Sequence, residues 1–540
     1  MITTAKLDTR QKKWLKKNKH KLGERLENKQ EIATPAKYEA PLLWGLLAAA
    51  LLIWMISLPN KFVSDDIPTI LNNAKVGTWS INLLQPWWSF QYLIYAILTN
   101  IFGLVPWPLR LTGILFHLTA SFILFKIVRR WYSFLAAIIA VALFVVAPTV
   151  VEPVVWISGM PYVLGGMLTM FCIFLHLDEK QTLLKQVAEV AFWTLSVISC
   201  EKFIFIPVLL LIWDWREKRL GKMGVVLVGL FLMSLLRGIG VISVYTERAA
   251  ILNNSYYTVA GGIIENPIAK ILVPTGNYLW LYFWPKALTL YHSEVDLSRK
   301  FVFFFGGIFV LFCLWAWAGT KKIKNFWLWP ALFITSLLVT LTPTGMNMMV
   351  AERYAYFGYA FLAVMISLTV TDIARKKKQS VALYCLVAVW VLLMAGRTIL
   401  RIRDWRTADA LWFSAEEYSP SSPINHNNLG DAYVNLHNAE KAIEEFTIAI
   451  ELNPNYADAM HNRASTYMIL GEKVKARDGF EEALKTNPNL WMSYLKLAFL
   501  DESDNDWNQA IVHANKALEI VDLPVIRRYI ELLRQKAGQK

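Results

Sequence analysis

Pro108-Leu-Arg-Leu-Thr-Gly-Ile-Leu-Phe-His-Leu-Thr-Ala-Ser-Phe-Ile-Leu-Phe-Lys-Ile-Val-Arg-Arg130 is an apolar run closed by paired arginines. A helix needs ~20 such residues to cross the hydrocarbon of a bilayer, and Lys and Arg collect at its cytoplasmic end. The run therefore predicts a span that reaches the cytoplasmic face at Arg129 and Arg130. The pattern recurs outward from it. Run 132–150 leads away, and 154–176 returns to Lys180 and Lys185. Runs 187–200 and 203–215 go out and return to Arg216, Lys218, Arg219 and Lys222. Run 224–244 leads out, and 301–320 returns to Lys321, Lys322 and Lys324. Runs 326–341, 354–372 and 381–397 go out, in and out, with Arg375 to Lys378 at the inner turn. With 41–58 as the first, the walk gives about eleven spans. One basic cluster, Arg397 to Arg406, breaks the rule by falling outside. Runs 87–104 and 271–290 are read as interfacial or re-entrant helices on the outer face. Trp87, Trp88, Tyr92, Trp280, Tyr282 and Trp284 supply the aromatic belt such helices use.

Composition agrees. Of 540 residues, 56% are hydrophobic and 18% charged, where a soluble chain carries about 25% charge. This excludes disorder and argues against a soluble enzyme. The net charge of +14 sits in clusters between apolar runs, which is membrane topology rather than a nucleic-acid footprint. The four cysteines lie in or beside apolar runs without C-x-x-C spacing, so neither a disulfide framework nor a zinc site is expected. Residues 1–40 are basic and read as cytoplasmic. They are too long to precede a secretory signal, so 41–58 is expected to be a retained anchor.

After about residue 400 the chain reads as soluble. Leu429, Gly430, Tyr433, Ala442, Phe446, Ala449 and Pro454 form one unit; Ala464, Tyr467, Gly471, Ala476, Phe480, Ala483 and Pro488 repeat it. A weaker third holds Trp491, Tyr494, Leu497, Ala510 and Ala517, with Pro524 displaced. This period of ~34 residues is the tetratricopeptide pattern. Small residues let paired helices approach, aromatics fill the gap, and proline ends each second helix. The expected architecture is all-α: a polytopic domain at 41–400 with an outer loop at 59–107, a linker at 401–422, then repeats at 423–456, 457–490 and 491–524 and a last helix. Asn427, Asp431, Asn435, Asp458 and His461 are expected to line a groove that takes an extended polypeptide, against the plainer reading of a solvated helical face.

Three charged segments fall on the outer face: Asp65-Asp66, Glu152 between Pro148 and Pro153, and Glu352-Arg353. Taken singly they read as a solvated turn, a proline turn and a salt bridge or headgroup anchor. Together, in this order, they resemble the transmembrane and tetratricopeptide-repeat O-mannosyltransferases of the C-type, lipid-phosphate-sugar-dependent glycosyltransferase superfamily. The resemblance runs from about residue 41 onward. It rests on Asp65, Asp66, Ile70 and Asn73; on Phe102-Gly103 before Pro106; on Phe116-His117; on Pro148, Glu152, Trp156 and Gly159; on Glu201; on Asn266-Pro267; and on Ala351-Glu352-Arg353-Tyr354-Ala355-Tyr356. Departures are Ala147 and Val150 for two histidines, Met160 for an arginine, and Gln85, Arg110 and Gly113 for an Arg, a His and an Asn; Gln85-Pro86-Trp87 stands for Arg-Pro-Leu.

Sugar transfer from a polyprenyl phosphate needs a base for the attacking hydroxyl and cations for the leaving phosphate. Asp65 is the expected base, with Asp66 orienting the acceptor or sharing the role. Arg353 is expected at the phosphate, helped by Arg237 or Arg110, and Glu152 orients the Asp65 loop or binds acceptor. Asn73, His117, Glu201, Glu352 and Tyr356 are supporting residues. The resemblance implies inversion at the anomeric carbon and no required metal or other cofactor. A divalent ion on Asp65, Asp66 and Glu152 stays open as a rival. The expected activity moves a hexose, such as mannose, to a hydroxyl, with Ser or Thr of a repeat-bound protein the expected acceptor. The repeats are placed on the non-cytoplasmic side, and no nucleic-acid partner is expected. The alternative is a non-catalytic membrane scaffold. Transport is disfavoured, because the charges gather at one face and the two halves of the chain are unrelated.

Overall fold

The computed structural model describes residues 38–73, 76, 89–219, 267–341, 349–376 and 380–538. Every regular element among them is helical. The series opens with α1 (Glu39–Met55), α2 (Ser89–Phe102), α3 (Pro106–Arg129) and α4 (Phe134–Val145). Tight turns at Pro148–Val150 and Ile157–Gly159 flank a single helical turn, α5 (Val151–Val155), and lead into α6 (Met160–His176). Next come α7 (Leu183–Ser199), α8 (Ile206–Arg216), α9 (Pro267–Phe283), α10 (Arg299–Lys322) and α11 (Leu328–Leu337). A turn at Glu352–Ala355 opens α12 (Tyr356–Lys376), and α13 (Ser380–Asp404) closes the bundle.

Local chemistry sets these boundaries. Pro106 starts α3, where its missing N–H costs nothing. The Ser133 and Thr182 side chains accept from the Ala136 and Lys185 amides and cap α4 and α7. Prolines 148 and 153 prevent α4 from running on, and the chain bends by 56° between Phe134–Val145 and Pro148–Val155. That bend carries Glu152 into the interior.

Five helices among the described residues are long and apolar enough to cross a membrane: Pro106–Arg129, Ile157–His176, Arg299–Lys322, Glu352–Arg375 and Val381–Asp404. The bent pair makes six if taken as one broken span. This is fewer than the sequence walk anticipates. The helices at 187–200, 203–215 and 326–341 are short, with 17, 11 and 10 residues in α7, α8 and α11. Run 224–244 lies outside the described residues. The two runs set aside as interfacial form α2, of 14 residues, and α9, of 17; Trp87 and Trp88 lie outside the described residues. α12 is buried along most of its length, packed on α4 and α11. α10 and α13 instead expose Phe303, Leu311, Leu386 and Leu392. Such apolar faces are costly in water and at home in lipid.

The tail pairs its helices antiparallel: α14 (Ala408–Glu416), then α15 (Pro423–Asn435) with α16 (Ala439–Leu452), α17 (Ala457–Ile469) with α18 (Lys473–Thr486), and α19 (Trp491–Ser503) with α20 (Trp507–Ile520), closed by α21 (Pro524–Gly538). Phe446 and Phe480, with Ala442, Ala449, Ala476 and Ala483, are fully buried, as the repeat pattern requires. The segment expected as a linker, 401–422, is largely helical. α13 runs through Arg401 to Asp404, and α14 follows after three residues. Trp405, Leu411 and Trp412 join the bundle's own hydrophobic cluster, and so does Leu429 of the first repeat.

Gly430 tests the repeat packing. A Cβ there would sit 2.4 Å from the Phe446 ring. Gly430→Ala should lose ~1–3 kcal/mol to overpacking, and Phe446→Ala ~3–5 kcal/mol to a cavity. Thermal melts of the full chain in detergent should fall for both; an unchanged Phe446→Ala melt would contradict the packing.

Candidate functional site

The turn after α1 carries the paired aspartates, and the structure separates them. Asp65 is exposed, whereas Asp66 is fully buried. One Asp66 carboxylate oxygen accepts from the Ser158 amide at 2.8 Å and its hydroxyl at 2.7 Å; the other accepts from the Val63 amide at 3.3 Å. Burial outweighs these bonds and the nearby Arg110 charge, and pushes the Asp66 carboxyl up to about 6. Thr69 donates its hydroxyl to the Asp65 carbonyl and lies 3.2 Å from the Ser158 hydroxyl. Asp66 therefore pins the turn to the segment after α5 and leaves Asp65 outward. Its orienting role is exerted on the turn rather than on an acceptor.

Arg110 does not fit the phosphate role expected of it. Its Nε donates to the Val155 carbonyl at 2.9 Å, and its Nη atoms donate to the carbonyls of Asn60 at 2.6 Å and Lys61 at 3.0 Å. The guanidinium is a clamp on three backbone oxygens. It joins α3, α5 and the turn.

Glu152 and Arg353 come together. The buried Glu152 carboxylate accepts from Arg353 Nη1 through one oxygen and from the Arg353 amide, at 3.1 Å, through the other. Arg353 also lies over the Trp156 and Tyr354 rings, at 5.3 and 4.9 Å. Glu352 and Arg353 do not pair with each other, as adjacency suggested. Glu352 turns away to Arg401 Nη2 at 3.1 Å, and Arg401 Nη1 reaches Asp404 at 3.2 Å. The Trp156 and Trp405 rings meet at 5.9 Å and join the two pairs into one cluster. Breaking such buried pairs leaves a stranded charge.

Two residues that the sequence reading missed lie beside this cluster. Lys202, between α7 and α8, is buried with its ammonium 3.3 Å from the Tyr354 ring centre and 5.0 Å from that of Tyr162. It has no hydrogen-bond acceptor among the described residues, and burial pulls it down to about 7. His292, in the loop before α10, has its pKa lowered to about 3 by burial and then by the charges of Arg401 and Arg353. The signal for Arg401 was present in the sequence: it belongs to the basic cluster that broke the topology rule.

The remaining expectations divide. His117 Nδ1 and the Tyr356 hydroxyl lie 3.0 Å apart inside the bundle, so both are structural. Asn73 donates to the Thr69 carbonyl and steadies the aspartate turn. Glu201 is half-buried beside Lys202. Asp431 is exposed and Asp458 half-buried. Asn435 is exposed and approaches Asp409. Asn427 and His461 do not line a groove: both are buried, Asn427 accepting from Asn462 at 3.1 Å and His461 lying 2.8 Å from the Ser493 hydroxyl. Arg237, Gln85, Pro86 and Asn266 lie outside the described residues. Of the three carboxylates in the rival metal reading, Asp66 faces Ser158 while Glu152 faces Arg353. No metal-holding group of His, Cys, Asp or Glu occurs among the described residues.

Residues 423–456 and 457–490 each match the tetratricopeptide repeat family. A 74-residue stretch is 39% identical to the uncharacterized protein MJ0572 of Methanocaldococcus jannaschii, covering 14% of this chain and 78% of that one. The chain belongs to the tetratricopeptide-repeat proteins. Over 184 residues it is also 26% identical to the mouse protein O-mannosyl-transferase TMTC3, covering 30% of this chain and 20% of that protein. Among solved structures it is similar to the MamA protein, with 22% identity, a TM-score of 0.22, and coverage of 24% of this chain and 72% of that one. The chain spans only a fifth of the mannosyl-transferase, so the likeness concerns a part of that protein.

Two measurements check the site of this tetratricopeptide protein. Arg353→Ala strands the buried Glu152 charge and should cost ~3–5 kcal/mol in a detergent melt. Asp66 has its carboxyl raised by folding, so its contribution is present below the ordinary 3.8 and lost as pH rises through about 6. Relative to Asp66→Asn, the native chain should gain stability from about pH 7.5 to about pH 5. A constant difference would refute the assignment.

Proposed function

We propose that this protein is an integral-membrane glycosyltransferase that moves a hexose from a polyprenyl-phosphate donor to a hydroxyl of a polypeptide held by the repeats. The observation that carries the reading is the pinned turn. Asp66 and Arg110 are consumed in fixing backbone, and the carboxylate they leave outward is Asp65, joined through residues 148–159 to the Glu152–Arg353 pair. The partial likeness to TMTC3 points the same way.

In this reading Asp65 accepts the proton of the attacking hydroxyl. Arg353 and Lys202 supply positive charge for the departing phosphate. Lys202 takes the place that Arg110 cannot fill. Glu152 holds Arg353 in position. The aspartate turn, residues 148–159 and the repeats share the non-cytoplasmic side, with about eleven spans, a cytoplasmic N-terminal segment and α2 and α9 at the outer interface. No metal is invoked. A second reading, a scaffold that recruits polypeptides without catalysis, is favoured by the internal pairing of Arg110 and Arg401.

Asp65→Asn separates the two. Reconstituted full-length protein, given a polyprenyl-phosphate hexose and a Ser/Thr-rich polypeptide, should lose at least ~10²-fold in transfer, with melting and polypeptide capture unchanged. Transfer that persists in the combined Asp65→Asn, Asp66→Asn protein moves the assignment to the scaffold.

A further inference from the structure

The repeats do not hang from the bundle by a tether. Two sets of contacts fix α13 and its end against the bend and the aspartate turn, and two more seat the root of the first repeat. Thr398 donates to the Val146 carbonyl at 2.7 Å, at the bend that carries Glu152. Asn60 Nδ2 and the Lys61 amide, both from the aspartate turn, donate to the carbonyls of Ile402, at 3.1 Å, and Arg406, at 3.0 Å. The Tyr291 and Trp412 rings stack at 6.0 Å with 7° between planes. Ser419 donates to the Tyr291 carbonyl and lies 2.8 Å from the Thr289 hydroxyl, and Glu294 accepts from the Ser421 amide at 2.9 Å. The strap at 289–294 thus grips the root of the first repeat from outside, and His292 in the middle of that strap feels the site's own arginines.

Hydrophobic packing carries the same connection further. Phe413 of α14 meets Tyr433 of α15 edge-on at 5.3 Å. Leu429 of the first repeat belongs to the cluster that holds Trp156 and Trp405. Apolar burial of this kind, shared by bundle and repeat, opposes independent motion of either part.

We infer that the 289–294 strap and the α13–α14 root hold the repeats at one fixed offset from the charged site. The position of a hydroxyl along a repeat-bound polypeptide, rather than the sequence around it, then selects where the sugar goes. Tyr291, Trp412, Ser419 and Glu294 are positioning residues for that selection. They touch neither sugar nor acceptor. This deepens the glycosyltransferase reading and rests on it for its consequence, though not for its geometry.

The test measures distance directly in the full chain. The exposed Cys313 and Cys385 are first replaced by alanine, Cys172 and Cys200 being buried. Spin labels are then placed at the exposed positions Lys61 and Val474. Electron–electron resonance in nanodiscs should give one narrow distance distribution. Tyr291→Ala combined with Trp412→Ala should broaden it several-fold. Tyr291→Phe with Trp412→Phe, which keeps both rings, should restore it. The milder Glu294→Ala, which removes the acceptor of both the Ser421 amide and its hydroxyl, should broaden it partially, and covers the case in which the alanine pair fails to fold. A broad native distribution, or a narrow one in every variant, overturns the inference. The distances decide it whether or not sugar transfer is detected. With transfer in hand, acceptor peptides tethered through glycine-serine linkers to a cysteine replacing Asp431 should show a sharp linker-length optimum, flattened by the alanine pair. The same optimum in both proteins would also overturn it, while absence of transfer at every length counts against the glycosyltransferase reading alone.

Discussion

A carboxylate and a guanidinium buried at the end of a helical bundle impose most of what surrounds them. Glu152 reaches the interior because prolines break the helix on both sides of it, and there it must find a cation. It finds Arg353, which arrives only because the turn at Glu352–Ala355 opens α12 at that point. The turn sends the neighbouring Glu352 the opposite way, and that carboxylate in turn requires Arg401. One satisfied charge thus recruits three elements: the bend, the start of α12 and the end of α13. The buried Trp156 and Trp405 rings meet between the two pairs.

This chain of requirements explains a basic cluster that the topology rule does not. Arg397 donates to the carbonyls of Pro285 and Lys286, and Arg401 serves Glu352 and Asp404. These arginines are placed by partners within the protein, not by the membrane's charge asymmetry.

Much of the architecture was legible from the sequence. The repeats were readable because each small or aromatic position returns at a fixed interval, and the long apolar runs read as helices because burial and lipid select for the same residues. Lengths were less readable: the runs at 203–215 and 326–341 are apolar enough for spans, but α8 and α11 occupy only part of them. The carboxylates at 65, 66 and 152 stood out as charges at the ends of apolar runs. Their partners did not. Ser158, Lys202 and Trp405 carry no pattern in the sequence, since long-range contacts are made by folding and leave no local period. Arg110 misled because guanidinium chemistry suits phosphate and backbone carbonyl alike. Asn427 and His461 misled because a helix buries its polar residues wherever the next repeat supplies a partner.

The length of α13 has its own bearing on the site. At ~1.5 Å per residue, its 25 residues extend ~37 Å, against a hydrocarbon thickness of ~30 Å. The surplus falls on the final turns, which present Arg401 and Asp404 to their partners. Taken as a membrane span, the helix would register the thickness of the bilayer around it. A thinner bilayer would then tilt it, while a thicker one would lessen the tilt and draw its charged end inward, so that bilayer thickness would bear on Glu352 without any ligand touching it.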